Sequence, residues 1–173
     1  MRLVLFLWGF AEATLFFVVP DVPISFLAIR GIRRALLGSA CATAGAVVGG
    51  LLMYLIASLY PEATLSVVEK VPAVSWGMIE RVMEEVPRTG AIAMFKGAFS
   101  GVPYKVYAAV FGVSHFNLPT FLLVSLPARF LRFAMVSVAV GLLSRIVPRK
   151  LHVPLLAVGW VVFYALFWYL MGW

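Results

Sequence analysis

Six ionisable side chains lie inside apolar stretches of this chain: Glu12, Asp21, Lys96, Lys105, Arg129 and Arg132. Charges at such positions are costly in a hydrocarbon setting, and where they occur they mark a site or a pair. The set holds four cations and two acids, so two ion pairs leave two positive charges over. An anion such as phosphate is the natural missing member. Arg129 and Arg132 share a helical face at i and i+3, which makes them, with Lys96 and Lys105, candidate ligands for a lipid phosphate. Ionised Glu12 and Asp21 cannot bind phosphate directly. They fit a charge-balance role, holding arginines in an empty site or taking up a proton as a carrier changes state. Structural readings stand beside these. Asp21 can cap a helix, Glu12 can form a buried pair with Arg129 or Arg132, and Lys96 and Lys105 can snorkel to the outer face. Whether the lysines or the arginines form the key cationic site is open at this level.

The elements that must carry these groups follow from composition. The chain is 64% hydrophobic and 12% charged, about half the roughly 25% charged share of a soluble domain. Four apolar blocks lie near 3–29, 35–60, 91–144 and 151–173, each long enough for the ~20 residues that cross a bilayer. The expectation is an all-α integral membrane protein. Its net charge of +7 is scattered among apolar runs and forms no soluble basic face, which argues against a nucleic-acid partner. The start, Arg2 and then Leu3 to Ala13, looks superficially like a signal peptide, but the apolar run resumes at Leu15, so the segment is expected to be retained. The single Cys41 excludes an intrachain disulfide or a Cys-rich metal site. His115 and His152 lie at segment ends with no second ligand nearby, so neither metal nor cofactor is expected. No nucleophile has an evident base, and the chain reads as a non-enzyme.

Two of the blocks are broken. Val19-Pro20-Asp21-Val22-Pro23 interrupts the first, and Ser100-Gly101-Val102-Pro103 interrupts the third; Pro20, Pro23, Gly101 and Pro103 are the breaking residues. If 3–29 and 91–118 are re-entrant hairpins entering from opposite faces, then Arg2, Arg30, Arg33, Arg34, Arg145, Arg149 and Lys150 share one side, as the positive-inside rule asks. The predicted topology is one membrane domain. A first repeat, 1–60, holds hairpin 3–29 and span 35–60. An outer interfacial segment, 61–90, follows, with a helix along Trp76, Ile79, Met83 and Val86. A second repeat, 91–144, holds hairpin 91–118 and span 119–144. A last span, 151–173, ends in Trp168, Tyr169 and Trp173. Pro20 leads to Gly31-Ile32 and Pro103 to Gly112-Val113, each before a span, so the two halves form an inverted repeat, a plan that places substrate at the midplane. The returning arms begin at Pro23 and near Pro103, aiming helix N-termini at that level. Gly45 and Gly49 make a GxxxG step for close helix packing.

Gly45-Ala46-Val47-Val48-Gly49, followed by Tyr54 and Ile56, resembles the GAxxGDxxxYxIG signature of the DedA family (SNARE-associated Golgi, or VTT-domain, superfamily), with Gly50 replacing its acid and Ala57 its last glycine. Glu12 before a proline-broken loop with Asp21 is similar to that family's acidic first hairpin. Phe95 through Pro103 to Ala108-Ala109-Val110-Phe111-Gly112 resembles its second. Ser100 and Val106 stand where the family pattern has arginines, and the run Ala128 to Phe133 looks like the basic pair of its smaller members. The resemblance spans nearly the whole chain. It implies a translocase or scramblase for undecaprenyl phosphate or phospholipids, with protons as a coupling partner. The expected location is the cell membrane, with the N-terminus, 30–34 and 145–150 cytoplasmic and 61–90 outside; homo-oligomers are compatible with it. The rival expectations are a membrane-embedded phospholipid-processing enzyme and a non-catalytic assembly factor.

Overall fold

Proline and glycine set the element boundaries in the computed structural model, which describes residues 1–171. Pro20 has no N–H to donate and ends any helix running into it, while Gly101 adopts a left-handed φ of 86° that ordinary residues avoid. The described residues form nine α-helices and no strand: α1 (Arg2–Ala13), α2 (Asp21–Ala28), α3 (Ile32–Leu59), α4 (Pro61–Glu69), α5 (Trp76–Thr89), α6 (Ile92–Ser100), α7 (Tyr104–Val113), α8 (Leu118–Ile146) and α9 (Arg149–Met171). Three of these, α3, α8 and α9, are long and apolar enough to cross a membrane. At 28 and 29 residues, α3 and α8 each extend roughly 42 Å at 1.5 Å per residue, more than the hydrocarbon core requires. Their outward faces carry bare apolar side chains, Leu123 at 74% and Ile146 at 83% exposure. Exposure on that scale suits lipid and would be an aggregation liability in water.

Small residues let α1 press against α3. Leu5 meets Gly38 and Gly9 meets the Ala42 carbonyl, while Phe6 meets Gly45 and Phe10 meets Gly49. Each pair advances by four residues on both helices, so α1 and α3 run parallel. A Cβ at Gly9 or Gly45 would collide with the partner backbone, which is why the stripe must be small. Leu27, near the end of α2, faces the same Gly38 as Leu5, so the chain has come back to the level at which α1 began. On the far half of α3, Tyr104 covers Gly50 and Gly112 sits on the Tyr54 carbonyl and Ala57. Thus α7 also runs parallel to α3, and α6 lies against it through Gly97 and Tyr107. Helix α8 runs the opposite way, with Gly141 against Ile32 and Ser137 hydrogen-bonded to Ser39 at 2.8 Å. Stacked rings close the core at the other end, Phe121 lying 5.4 Å from Tyr54 and 6.3 Å from Tyr104.

Residues 61–90 differ from expectation in two ways. They hold two helices, α4 and α5, and α4 buries Thr64, Leu65 and Val68, a short and partly polar set that gives little periodic signal. On α5 the buried face is Ile79, Val82 and Val86, whereas Trp76 and Met83 are exposed. Ser75 caps that helix through Met78 N at 3.3 Å. The expected terminal aromatic Trp173 lies outside the described residues.

Candidate functional site

Five helices, α1, α2, α7, α8 and α9, converge at the level where α1 ends and α2 begins. Thr14 closes α1 by donating its hydroxyl to the Ala11 carbonyl at 2.9 Å, and Trp8 Nε1 donates to the Val18 carbonyl at 2.9 Å. These bonds fold the 14–20 segment back over the end of α1, where Glu12, two residues before Thr14, faces α8. There Glu12 Oε2 accepts from Arg129 Nη2 in an ion pair whose side chains are 1% and 4% exposed, Arg129 first. The Arg129 guanidinium also lies 4.9 Å from the centre of the Tyr104 ring and 4.7 Å from that of Phe133, a cation–π sandwich in a dry setting. Its Nε and Nη1 have no hydrogen-bond partner.

Arg132, less than one turn further along α8, donates from Nη2 to Asp21 Oδ2 at 3.2 Å. Its side chain is 24% exposed. Asp21 does not act as the helix cap that its position invited: it is the first residue of α2 and makes no cap bond. Its carboxylate turns to α8 instead, because a charged guanidinium makes a stronger hydrogen bond than a neutral backbone N–H. The other oxygen, Oδ1, has no partner. Lys105, in the first turn of α7, is buried and donates from Nζ to the Phe16 carbonyl at 2.7 Å, so the start of α7 touches the segment linking α1 to α2. Lys96 is exposed on α6 and lines none of the cavities around these residues.

Two cavities flank Arg132. One, of about 470 Å³, is lined by Glu12, Lys105, Arg132, Ala73 and Pro103. The other, also about 470 Å³, is lined by Asp21, Ser25, Arg132 and Trp160. Val19, Arg132 and Phe163 line both. Arg129 borders only a void of about 10 Å³, too small for a ligand. A planar guanidinium carries five N–H donors, and Arg132 spends one on Asp21. Among the described residues no three His, Cys, Asp or Glu side chains gather as a metal site.

Helix α9, expected only as a last span, also borders this site. Tyr164 accepts from Val19 N–H at 3.2 Å, Trp160 Nε1 donates to Ser25 Oγ at 2.9 Å, and Trp168 packs edge-on to Phe17 with centroids 5.4 Å apart. Trp160, Tyr164 and Trp168 recur every four residues, a single helical face and the signal that would have found them. The hairpin-breaking residues sit at the element ends: Pro20 caps α2, Pro23 lies in its first turn, Gly101 ends α6 and Pro103 precedes α7.

Comparison with protein families, with curated proteins and with solved structures finds no match. The likeness to the DedA family rests on the motifs quoted above.

Proposed function

We propose that this chain is a carrier that moves phosphate-headed lipids, of the undecaprenyl phosphate or phospholipid class, across the cell membrane, and that it is a small member of the DedA family. The observation that carries the reading is Arg132: a cation buried on most sides, holding one carboxylate, and forming a wall common to two cavities. A lipid phosphate entering either cavity takes the free N–H groups of Arg132, and in the first cavity it also meets Lys105. Asp21 is displaced from the pair as the anion arrives, and Glu12 and Asp21 are the groups through which proton uptake couples to the cycle. Arg129 is a positioning residue here, fixing α8 against α1. Lys96 lies outside the site.

In this reading α1–α2 and α6–α7 are re-entrant hairpins from opposite faces, and each forms half of an inverted repeat with α3 or α8. Support comes from the order of contacts: Leu5 and Leu27 meet at Gly38, Tyr104 and Gly112 flank the other half of α3, and Lys105 reaches Phe16 where the turns meet. Residues 30–34 and 145–150 are then cytoplasmic and 61–90 external.

The test is flipping of labelled polyprenyl phosphate or phospholipid in proteoliposomes. Arg132→Gln is expected to slow it about tenfold or more, the loss of one charge-assisted phosphate contact. Flipping at the wild-type rate would remove Arg132 and the proposed site together. Release of inorganic phosphate from the lipid would instead mark an enzyme.

A further inference from the structure

A different cluster of cations occupies the end of the bundle where α2 hands over to α3 and α8 to α9. A cavity of about 670 Å³ opens there, lined by Arg30, Gly31, Arg145, Arg149 and His152 among others. No carboxylate lines it, and the two ion pairs among the described residues involve none of these arginines. The chain has no acid between Asp21 and Glu62 and none after Glu85, so this end of the molecule has no counter-charge of its own. Gly31, φ 138°, precedes α3 and offers it no side-chain cap, and Ile32 and Arg149, the first residues of α3 and α9, both line the cavity. His152 contributes no acceptor to offset the arginines at Nε2, which meets the Val147 carbonyl at 2.9 Å. Leu142, Leu143 and Ile146, on the last turns of α8 beside the cavity, are exposed.

We propose that this cavity is an anion site, separate from the one around Arg132, that holds the phosphate head of an anionic phospholipid. Three exposed arginines line one space with no acid among them, so their charges favour an anion that joins them, and their forked donors match phosphate oxygens. The ligand is a lipid and not a free phosphate because the mouth adjoins bare leucine and isoleucine on a helix long enough to span the membrane, where an acyl chain lies while its head fills the pocket. Basic pockets between spanning helices near the interface hold anionic heads in this way. Arg145 is 13 residues beyond Arg132 on α8, roughly 20 Å along the axis, too far for one head group to occupy both sites. The site needs the chain to span a bilayer but does not depend on its carrying lipids across.

The test uses the full chain in nanodiscs of phosphatidylcholine with a minor share of phosphatidic acid, and counts retained phosphatidic acid by native mass spectrometry. All measurements are made on an Arg132→Gln background, so that lipid in the other cavities does not count. Arg145→Gln with Arg149→Gln is expected to weaken retention about tenfold or more, whereas Arg33→Gln with Arg34→Gln, equal in charge but not lining the cavity, costs less than about threefold. Equal losses from the two double variants, or no loss from either, overturn the site in favour of diffuse surface charge. Displacement of the lipid by millimolar inorganic phosphate overturns the lipid as its ligand.

Discussion

Arg129 and Arg132 sit on one helix, three residues apart, and each holds one acid from the α1–α2 region, yet they live in opposite circumstances. In the Glu12–Arg129 pair the guanidinium is sealed between Tyr104 and Phe133 and borders only a small void, while Glu12 alone reaches a larger cavity. The Asp21–Arg132 pair is partly exposed and bordered by two cavities. Removing two charges from solvent costs more than a single contact returns unless every other bond is also made. The sealed pair therefore works as a lock whose halves are dangerous when separated, and the open pair as a contact that an incoming anion can break.

The largest expected effect is at the lock. Arg129→Ala leaves the Glu12 carboxyl buried without its partner, a loss of about 3–5 kcal/mol, read as a lower unfolding temperature in detergent. An unchanged transition would break the distinction between the pairs. Removing both partners, Glu12→Leu with Arg129→Leu, should recover most of that loss, since apolar replacements of buried pairs are often neutral; a double variant as unstable as the single one would mean that the pair does more than cancel charge. At the open pair, Arg132→Gln should cost only about 1 kcal/mol of stability while slowing flipping in vesicles. A stability loss equal to that of Arg129→Ala would make the two pairs equivalent. An effect of similar size to that of Arg132→Gln is expected from Phe133→Leu, which replaces the ring over Arg129 by a smaller apolar side chain and should cost about 1 kcal/mol in the same unfolding transition.

Much of the architecture was legible in the residues. Three long apolar runs announced α3, α8 and α9, and Pro20 and Gly101 marked the breaks between shorter helices. What was not legible is azimuth. Three residues advance about 300° around a helix, leaving Arg129 and Arg132 roughly 60° apart, and that offset alone sends one into the core and the other to the cavities. Spacing called them one face; packing against Tyr104 and Phe133 separates them. The partner of Lys105 was equally hidden, because the Phe16 carbonyl is a backbone group that residue type does not reveal. Helix α4 escaped notice because its buried residues are few and one is a threonine.

The acids of both pairs are separated from their arginines by 117 and 111 residues. At ~5–20 residues per second of synthesis, Glu12 and Asp21 leave the ribosome roughly 6–23 s before their counter-ions exist. The α1–α2 segment can pack on α3 as soon as α3 is made, but its two carboxylates gain their counter-ions only when α8 arrives. A nascent chain halted before residue 129 holds Glu12 and Asp21 without either arginine that pairs with them.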